Sequence, residues 1–265
     1  MRYFISSWIS VSSLAWRLFV RTIGAKYRKS FLGYFWMVFP ALLITLGLTL
    51  ANRAGMINPG VTTLPYPLFV LFGTLIWQVF AEAVEVPHQA FEGARSYITR
   101  VYFPREAIIL AQLFECLITT VVRAGFAVLL LELSLGTDWR AVGLIGLSFS
   151  GAVLIGLGVG SLLMPFTLLF SDLHNTTKLA LSYGLFLTPA LYQPSGDGLF
   201  SALLRFNPVW PLMDAARDGA AGLSLSHPVA LSMVLFGAVV TTIGGFVMVR
   251  ASAAIVIERM LMGGR

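Results

Sequence analysis

The sequence predicts an all-helical integral membrane protein with six transmembrane helices. Of its 265 residues, 57% are hydrophobic and only 11% are charged, whereas about a quarter of the residues in a soluble domain carry charge. Apolar stretches of about 20 residues, enough to cross a bilayer as a helix, recur along the whole chain. These stretches are too long and too uniformly apolar for barrel strands. We therefore expect one helical membrane domain over residues 1–265.

The first element, residues 1–30, is predicted to be an amphipathic helix that lies in the membrane interface on the cytoplasmic side. Its apolar side chains share one helical face, while serines and arginines lie largely elsewhere. The basic run Lys26–Lys29 would anchor it to anionic headgroups. The apolar face comprises Phe4, Trp8, Val11, Ala15 and Leu18.

Six apolar segments follow as candidate spans. Assigning the intervening segments alternately to the two sides of the membrane places thirteen of the 18 basic residues on the side of both termini, four on the other side and Arg123 within a span. Because basic residues accumulate on the cytoplasmic side, both termini are predicted to be cytoplasmic. The spans are Phe31–Ala51, Leu64–Ala81, Ala107–Leu131, Ala141–Phe170, Leu179–Gln193 and Pro228–Val249.

Two connecting segments are longer than a simple turn requires. Residues 86–104 mix polar, charged and aromatic side chains at helical spacing, which predicts a short cytoplasmic surface helix. Residues 198–227 are amphipathic and contain Pro208 and Pro211. Since proline removes an amide donor from a helix, this outer segment is predicted to form a re-entrant pair of half-helices.

The sequence lacks the common motifs for nucleotide binding and for metal-dependent catalysis. There is no Walker A loop, so no nucleotide site is expected, and His88, His174 and His227 are too far apart in sequence to indicate a metal site. Basic residues flank the spans and so indicate topology and not nucleic-acid binding. An intramembrane serine protease with Ser150 as nucleophile is the enzymatic alternative, but it requires a histidine base at membrane depth.

Small residues recur every four positions in the fourth span. Such a stripe allows another helix to approach closely, so we interpret it as a packing surface. The stripe comprises Ser148, Ala152, Gly156 and Gly160.

The third span carries a polar face formed by Gln112, Glu115, Thr119 and Arg123. An arginine at mid-membrane depth costs about 2.5–3.5 kcal/mol on insertion scales, so this face must meet protein or water. Glu115 and Arg123 are eight residues apart, roughly 12 Å along a helix, and each therefore needs another partner. The face forms either interhelical hydrogen bonds or the wall of a translocation path.

Four stretches, in this order, resemble bacterial polysaccharide ABC exporter permeases: Lys26–Trp36, Val101–Glu106, Leu187–Tyr192 and Phe206–Pro211. These permeases, with an ABC-2-type transmembrane domain, serve O-antigen, capsule and teichoic-acid export. One departure is Phe170-Ser171-Asp172, where an arginine often precedes the aspartate.

The resemblance implies a permease, not an enzyme, that moves a lipid-linked glycan across the bacterial cytoplasmic (inner) membrane. It implies a second copy of the chain and two ATPase subunits, which would bind ATP and Mg while this chain holds no cofactor. An ABC exporter of another lipid-linked or hydrophobic cargo is the nearest alternative. A neighbouring gene for a Walker-type ATPase would favour either exporter over the intramembrane protease.

The resemblance also assigns candidate site residues. Residues 86–104 would contain the helix that docks on the ATPase, with coupling residues Gln89, Glu92, Arg95, Tyr97 and Arg100. The translocation path would combine the polar face with aromatic side chains, whose flat faces suit sliding sugars. Its candidates are Tyr34, Trp36, Phe103, Gln112, Glu115, Thr119, Arg123, Tyr183 and Tyr192.

Overall fold

The computed structural model describes residues 11–21, 33–98, 105–193, 204 and 207–262. Every regular element in these ranges is a helix, which confirms the all-helical prediction. Residues 11–21 form α1, and a 3-10 turn spans Gly33–Met37. The remaining helices are α2 (Phe39–Arg53), α3 (Tyr66–Ile98), α4 (Arg105–Leu135), α5 (Trp139–Leu169), α6 (Ser171–Gly184), α7 (Trp210–Ala220) and α8 (Pro228–Met262).

Four of the described helices are long and apolar enough to cross a membrane. They contain the segments Tyr66–Ala94, Ala107–Leu135, Trp139–Leu169 and Pro228–Ala253, and α2 is a shorter apolar helix. Four of the predicted spans therefore correspond to long apolar helices. The count of six spans stays a prediction.

The small-residue stripe of α5 packs against α3, as the sequence predicts. Ser148 and Ala152 are completely buried. A Cβ atom added to Gly156 would lie 2.6 Å from the Phe80 carbonyl oxygen, and one added to Gly160 would lie 2.1 Å from that of Val84. Only glycine allows this approach, so the backbones of α5 and α3 are in direct contact. α5 also packs extensively against α8, and it therefore lies at the centre of the helix packing.

The segment that follows the second predicted span is not a separate surface helix. α3 continues through Pro87 to Ile98 without interruption. Proline removes one helical hydrogen bond, but Val86, Ala90 and Phe91 are buried around it. Their packing offsets the lost bond, so the first part of residues 86–104 extends the spanning helix. Residues 99–104 lie outside the described part of the chain.

The fifth predicted span also differs, because Leu179–Gln193 is not one continuous helix. α6 begins earlier, at Ser171, and ends at Gly184, and residues 185–193 form turns. Pro189 within this stretch cannot donate a helical hydrogen bond. The periodic apolar pattern therefore identified the segment but not its break.

Arg217 on α7 joins the turns after α6 to α3. It is 2% exposed, and its guanidinium donates hydrogen bonds to the carbonyl oxygens of Phe69 at 3.1 Å, Pro189 at 2.9 Å and Ala190 at 2.8 Å. Asp214 forms an ion pair with it at 3.7 Å.

Two further residues support this connection. A Cβ atom on Gly73 would lie 2.4 Å from the Ala190 carbonyl oxygen and 2.6 Å from Nη2 of Arg217, so only glycine fits there. Asp218 accepts hydrogen bonds from the amide and hydroxyl of Ser226, just before α8 begins. Residues 198–203, 205 and 206 lie outside the described residues, and the re-entrant arrangement of the predicted segment 198–227 stays a prediction.

Candidate functional site

A groove of about 620 Å³, lined by apolar and polar side chains, opens between the 3-10 turn, α2, α3, α4 and α6. Its polar side chains come mainly from α3, which contributes Gln78, Glu82, Glu85 and Gln89, and its two cations are Arg123 of α4 and Lys178 of α6. These residues follow at intervals of four, three and four, so they share one face of the helix. Polar side chains grouped within a membrane domain are a mark of a functional path.

Arg123 is the member of the predicted α4 face that lines this groove. It forms an ion pair with Glu82 on α3, and its Nε donates a hydrogen bond of 3.1 Å to the Met37 carbonyl oxygen. Thr119 donates a hydrogen bond of 2.8 Å to the other oxygen of Glu82. Arg123 therefore has a partner other than Glu115, as expected, and it forms interhelical bonds; its place in a translocation path stays a prediction.

Sequence reasoning missed Gln78, Glu82 and Glu85 of α3, and it named Gln89 only as a coupling residue. The signal was present, because Gln78, Glu82, Glu85 and Gln89 recur at helical spacing within and just beyond the second predicted span. The same test that identified the α4 face therefore identifies this one. The end of the predicted span at Ala81 separates Gln78 from Glu82, Glu85 and Gln89, so the row is not visible within the span alone.

Two tryptophans at the groove have different environments. Trp36 is 52% exposed and presents an accessible indole surface. Trp77 is buried, and its Nε1 donates a hydrogen bond of 2.9 Å to the Leu181 carbonyl oxygen on α6. A Cβ atom on Gly184 would lie 2.6 Å from the Trp77 ring, so this glycine lets the indole pack against α6.

The other predicted α4 residues lie at a second, smaller cavity of about 180 Å³. Gln112 and Glu115 line it, and Nε2 of Gln112 lies 3.3 Å from a carboxylate oxygen of Glu115. Leu18 of α1 contributes to its wall, so the N-terminal helix lies close to this point. Gln89 lines both the cavity and the groove. Gln89 is therefore a wall residue of both spaces.

His88 and His174, which are distant in sequence, stack with ring centroids 3.6 Å apart. His88 also shares a hydrogen bond of 3.1 Å between Nδ1 and the Thr167 hydroxyl. This cluster joins α3 to α5 and α6. No group of three or more potential metal ligands occurs among the described residues. His227 lies apart, with its ring 4.8 Å from that of Trp210.

The remaining predicted residues lie on separate elements where the structure describes them. Tyr183 is 63% exposed on α6, and the Tyr192 hydroxyl donates a hydrogen bond of 3.3 Å to the Phe186 carbonyl oxygen. Gln89 and Glu92 are exposed, and Tyr34 belongs to the 3-10 turn. Arg95 and Tyr97 lie near the C-terminal end of α3, whereas Arg100 and Phe103 lie outside the described residues.

Comparison with known proteins finds three similar chains, each named O-antigen export system permease protein RfbA. Two are from Klebsiella pneumoniae and are 26% and 24% identical over 237 residues, which cover 84% of this chain and 86% of each relative. The third, from Myxococcus xanthus, is 27% identical over 206 residues, 73% of this chain and 74% of the relative. These similarities confirm the resemblance predicted from the motifs. No family model matches the chain.

Proposed function

We propose that this chain is the permease subunit of an ABC exporter that moves a lipid-linked polysaccharide of the O-antigen type across the bacterial inner membrane. The observation that carries the proposal is similarity to three O-antigen export permeases, two of them over 84% of the chain. Four long apolar helices support a multi-pass membrane protein. The absence of a Walker loop from the sequence agrees with ATP hydrolysis on a separate subunit.

The groove supplies the features that transport of a glycan requires. Trp36 offers an exposed aromatic face, and amide and carboxylate groups on α3 offer hydrogen bonds to hydroxyl groups. We infer that two copies of the chain pair around this path. The Arg123–Glu82 ion pair and the bond from Arg123 to Met37 hold the 3-10 turn against α3 and α4. Arg123 therefore shapes the wall of the path.

The C-terminal part of α3 is the proposed contact with the ATPase. Gln89 and Glu92 are exposed there, and Arg95, Tyr97 and Arg100 follow along the chain. Because this part is continuous with the α3 groove wall, movement of a docked ATPase reaches Glu82 and Glu85 through one rigid helix. Glu92→Ala combined with Tyr97→Ala should weaken association with the ATPase. Undiminished co-purification would contradict docking at this site.

Both termini are proposed to be cytoplasmic, as the basic residues indicate. The protease alternative gains no support, since no hydrogen bond among the described residues joins Ser150 to a histidine, and His88 and His174 contact each other. An exporter of another lipid-linked cargo differs from the proposal only in what the path carries, and a direct export measurement distinguishes the two.

The test is removal of this chain from cells that make the glycan. We expect the lipid-linked polysaccharide to accumulate inside, so that antibody or lectin labels lysed cells but not intact ones. Supplying the chain together with its ATPase should restore surface labelling, and an ATPase with a substituted Walker lysine should not. Surface glycan that is unaffected by removal of the chain would refute the proposal. Loss of another lipid-linked product at the surface would favour the alternative cargo.

A further inference from the structure

The groove wall on α3 consists of hydrogen-bonding side chains in a single row. Gln78, Glu82, Glu85 and Gln89 extend over 11 residues, which is on the order of 16 Å along a helix. Such a row is longer than one sugar ring, so consecutive sugars of a chain in the groove contact it together. The chemistry of this row therefore acts on the repeating unit of the cargo.

Within this row the charges differ in how they are neutralised. Glu82 receives hydrogen bonds from Thr119 and Arg123. Arg123 also donates to the Met37 carbonyl, so protein groups occupy part of its hydrogen-bonding capacity although it lines the groove. Glu85 forms no ion pair among the described residues, and Lys178 of α6, which also lines the groove, lies beyond ion-pair distance of it. The α3 row therefore presents one carboxylate without a direct ion-pair partner.

Two oxygen atoms of the row lack hydrogen-bond donors. Oε1 of Gln78 and Oε2 of Glu85 are buried and have no partner in the described part of the chain. Both atoms are acceptors, and they belong to side chains seven residues apart, about 10 Å along the helix. Buried acceptors without donors are costly, and the soft terminal torsions of these side chains let them turn towards a donor in the groove.

A ligand that fits this wall is rich in donors and has no negative charge. Sugar hydroxyl groups donate hydrogen bonds to amide and carboxylate oxygens. A chain of uronic acids places carboxylates, which only accept hydrogen bonds when ionised, beside Glu85. Repulsion between like charges is strong where water is partly excluded. Such a chain therefore loses the bonds that the α3 wall offers and meets the Glu85 carboxylate, which has no direct ion-pair partner.

We propose that the α3 face of the groove is a selectivity site that accepts neutral, hydroxyl-rich glycan chains and rejects polyanionic ones, with Glu85 as the residue that sets the discrimination. This inference rests on the proposed export function and specifies its substrate class. Gln78 contributes to binding of neutral chains but not to rejection of charged ones, since its amide carries no charge. The two residues thus have separable effects.

The test is a binding measurement on the full-length chain in lipid nanodiscs at low salt. The probes are two soluble hexasaccharides, neutral maltohexaose and the hexamer of galacturonic acid. We expect the neutral probe to bind at least tenfold more tightly. In Glu85→Gln the two affinities should agree within about twofold, because the amide keeps the shape and removes the charge. In Gln78→Leu the neutral probe should bind several-fold more weakly.

Two variants serve as controls. Glu132→Gln removes an exposed carboxylate of α4 that lies away from the groove, and it should leave both affinities unchanged. Glu85→Asp keeps the charge and should retain most of the discrimination. If Glu85→Gln fails to fold, retained discrimination in Glu85→Asp together with its loss in Glu85→Ser decides the same point.

The outcomes separate this inference from the proposed function. Equal affinities for the two probes, tighter binding of the acidic probe, or unchanged discrimination in Glu85→Gln overturns the selectivity site. If neither probe binds while the assembled complex exports its glycan, the site is also overturned and the export function stands. If the assembled complex exports no glycan at all, the proposed function fails, and the selectivity site fails with it.

Discussion

Replacing Gly160 by alanine tests the close contact between α5 and α3. The new Cβ atom would lie 2.1 Å from the Val84 carbonyl oxygen and 2.8 Å from its carbonyl carbon, whereas ordinary contacts begin at 3.4 Å. Both obstructing atoms belong to the backbone and cannot rotate away. The two helices must therefore separate by about 1.3 Å at this point, which loosens the packing on both sides.

The size of the effect follows from two opposing contributions. Alanine in place of glycine favours a helix by about 0.5–1 kcal/mol. Overpacking costs about 1–3 kcal/mol and sometimes more, and the upper value applies because the contact is with backbone. We expect a net loss of about 2 kcal/mol, which for a chain of this size corresponds to a fall in Tm of about 4–8 °C.

Thermal unfolding of the purified chain, followed by tryptophan fluorescence, measures this change. Gly146→Ala on the same helix is the matched control, since its Cβ has no neighbour within 4 Å, and it should be neutral or slightly stabilising. In Gly151→Ala the new Cβ meets side chains, Leu212 at 2.7 Å and Leu235 at 3.0 Å, so Gly151→Ala should cost less in a Leu212→Ala background than on its own. Val84→Ala should not reduce the cost of Gly160→Ala. A Tm for Gly160→Ala equal to that of Gly146→Ala would refute the reasoning.

Three further predictions concern buried charges and topology. Arg217→Ala should lower stability by about 3–5 kcal/mol because it leaves a buried carboxylate and several carbonyl groups unpaired. Arg217→Lys should recover only part of this stability because lysine lacks the planar fork. Thermal unfolding of both variants checks this, and full recovery by lysine would contradict the hydrogen bonds of Arg217. Glu82→Gln and Arg123→Gln should each lower stability by about 1–3 kcal/mol, and the double variant should cost less than their sum; additive losses would show that the pair contributes nothing. In a cysteine-free background, an impermeant reagent added outside should label a cysteine at position 140 but not one at position 259, as both native arginines are exposed; the reverse pattern would overturn the topology.

Much of the fold was predictable because lipid imposes a simple rule. A segment that crosses a bilayer satisfies its backbone hydrogen bonds internally and carries apolar side chains, so long apolar runs locate α3, α4, α5 and α8. The packing role of the small-residue stripe of α5 was also predictable, since small residues at four-residue spacing let another helix approach closely. The turns after Gly184 were not, because Arg217, a residue distant in sequence, supplies the donors that stabilise them.

The site was less predictable, because it depends on which helix faces meet. Sequence periodicity places Gln112, Glu115, Thr119 and Arg123 on one face, but only contacts with other helices show that Arg123 reaches the groove while Glu115 faces a smaller cavity. Likewise, nothing in the sequence pairs Arg123 with Glu82. The coupling and path roles of all the candidate residues stay predictions.

The bonds of Arg217 also bear on how the chain is made. Its acceptors come earlier in the sequence, the Phe69 carbonyl by 148 residues and that of Pro189 by 28. Because synthesis proceeds from the N-terminus, the turns after α6 leave the ribosome before the side chain that supplies their donors. Until α7 is synthesised, the carbonyl groups of these turns therefore lack the hydrogen bonds that Arg217 donates. A chain that stops before Arg217 holds α2 to α6 but lacks the bonds that join their ends.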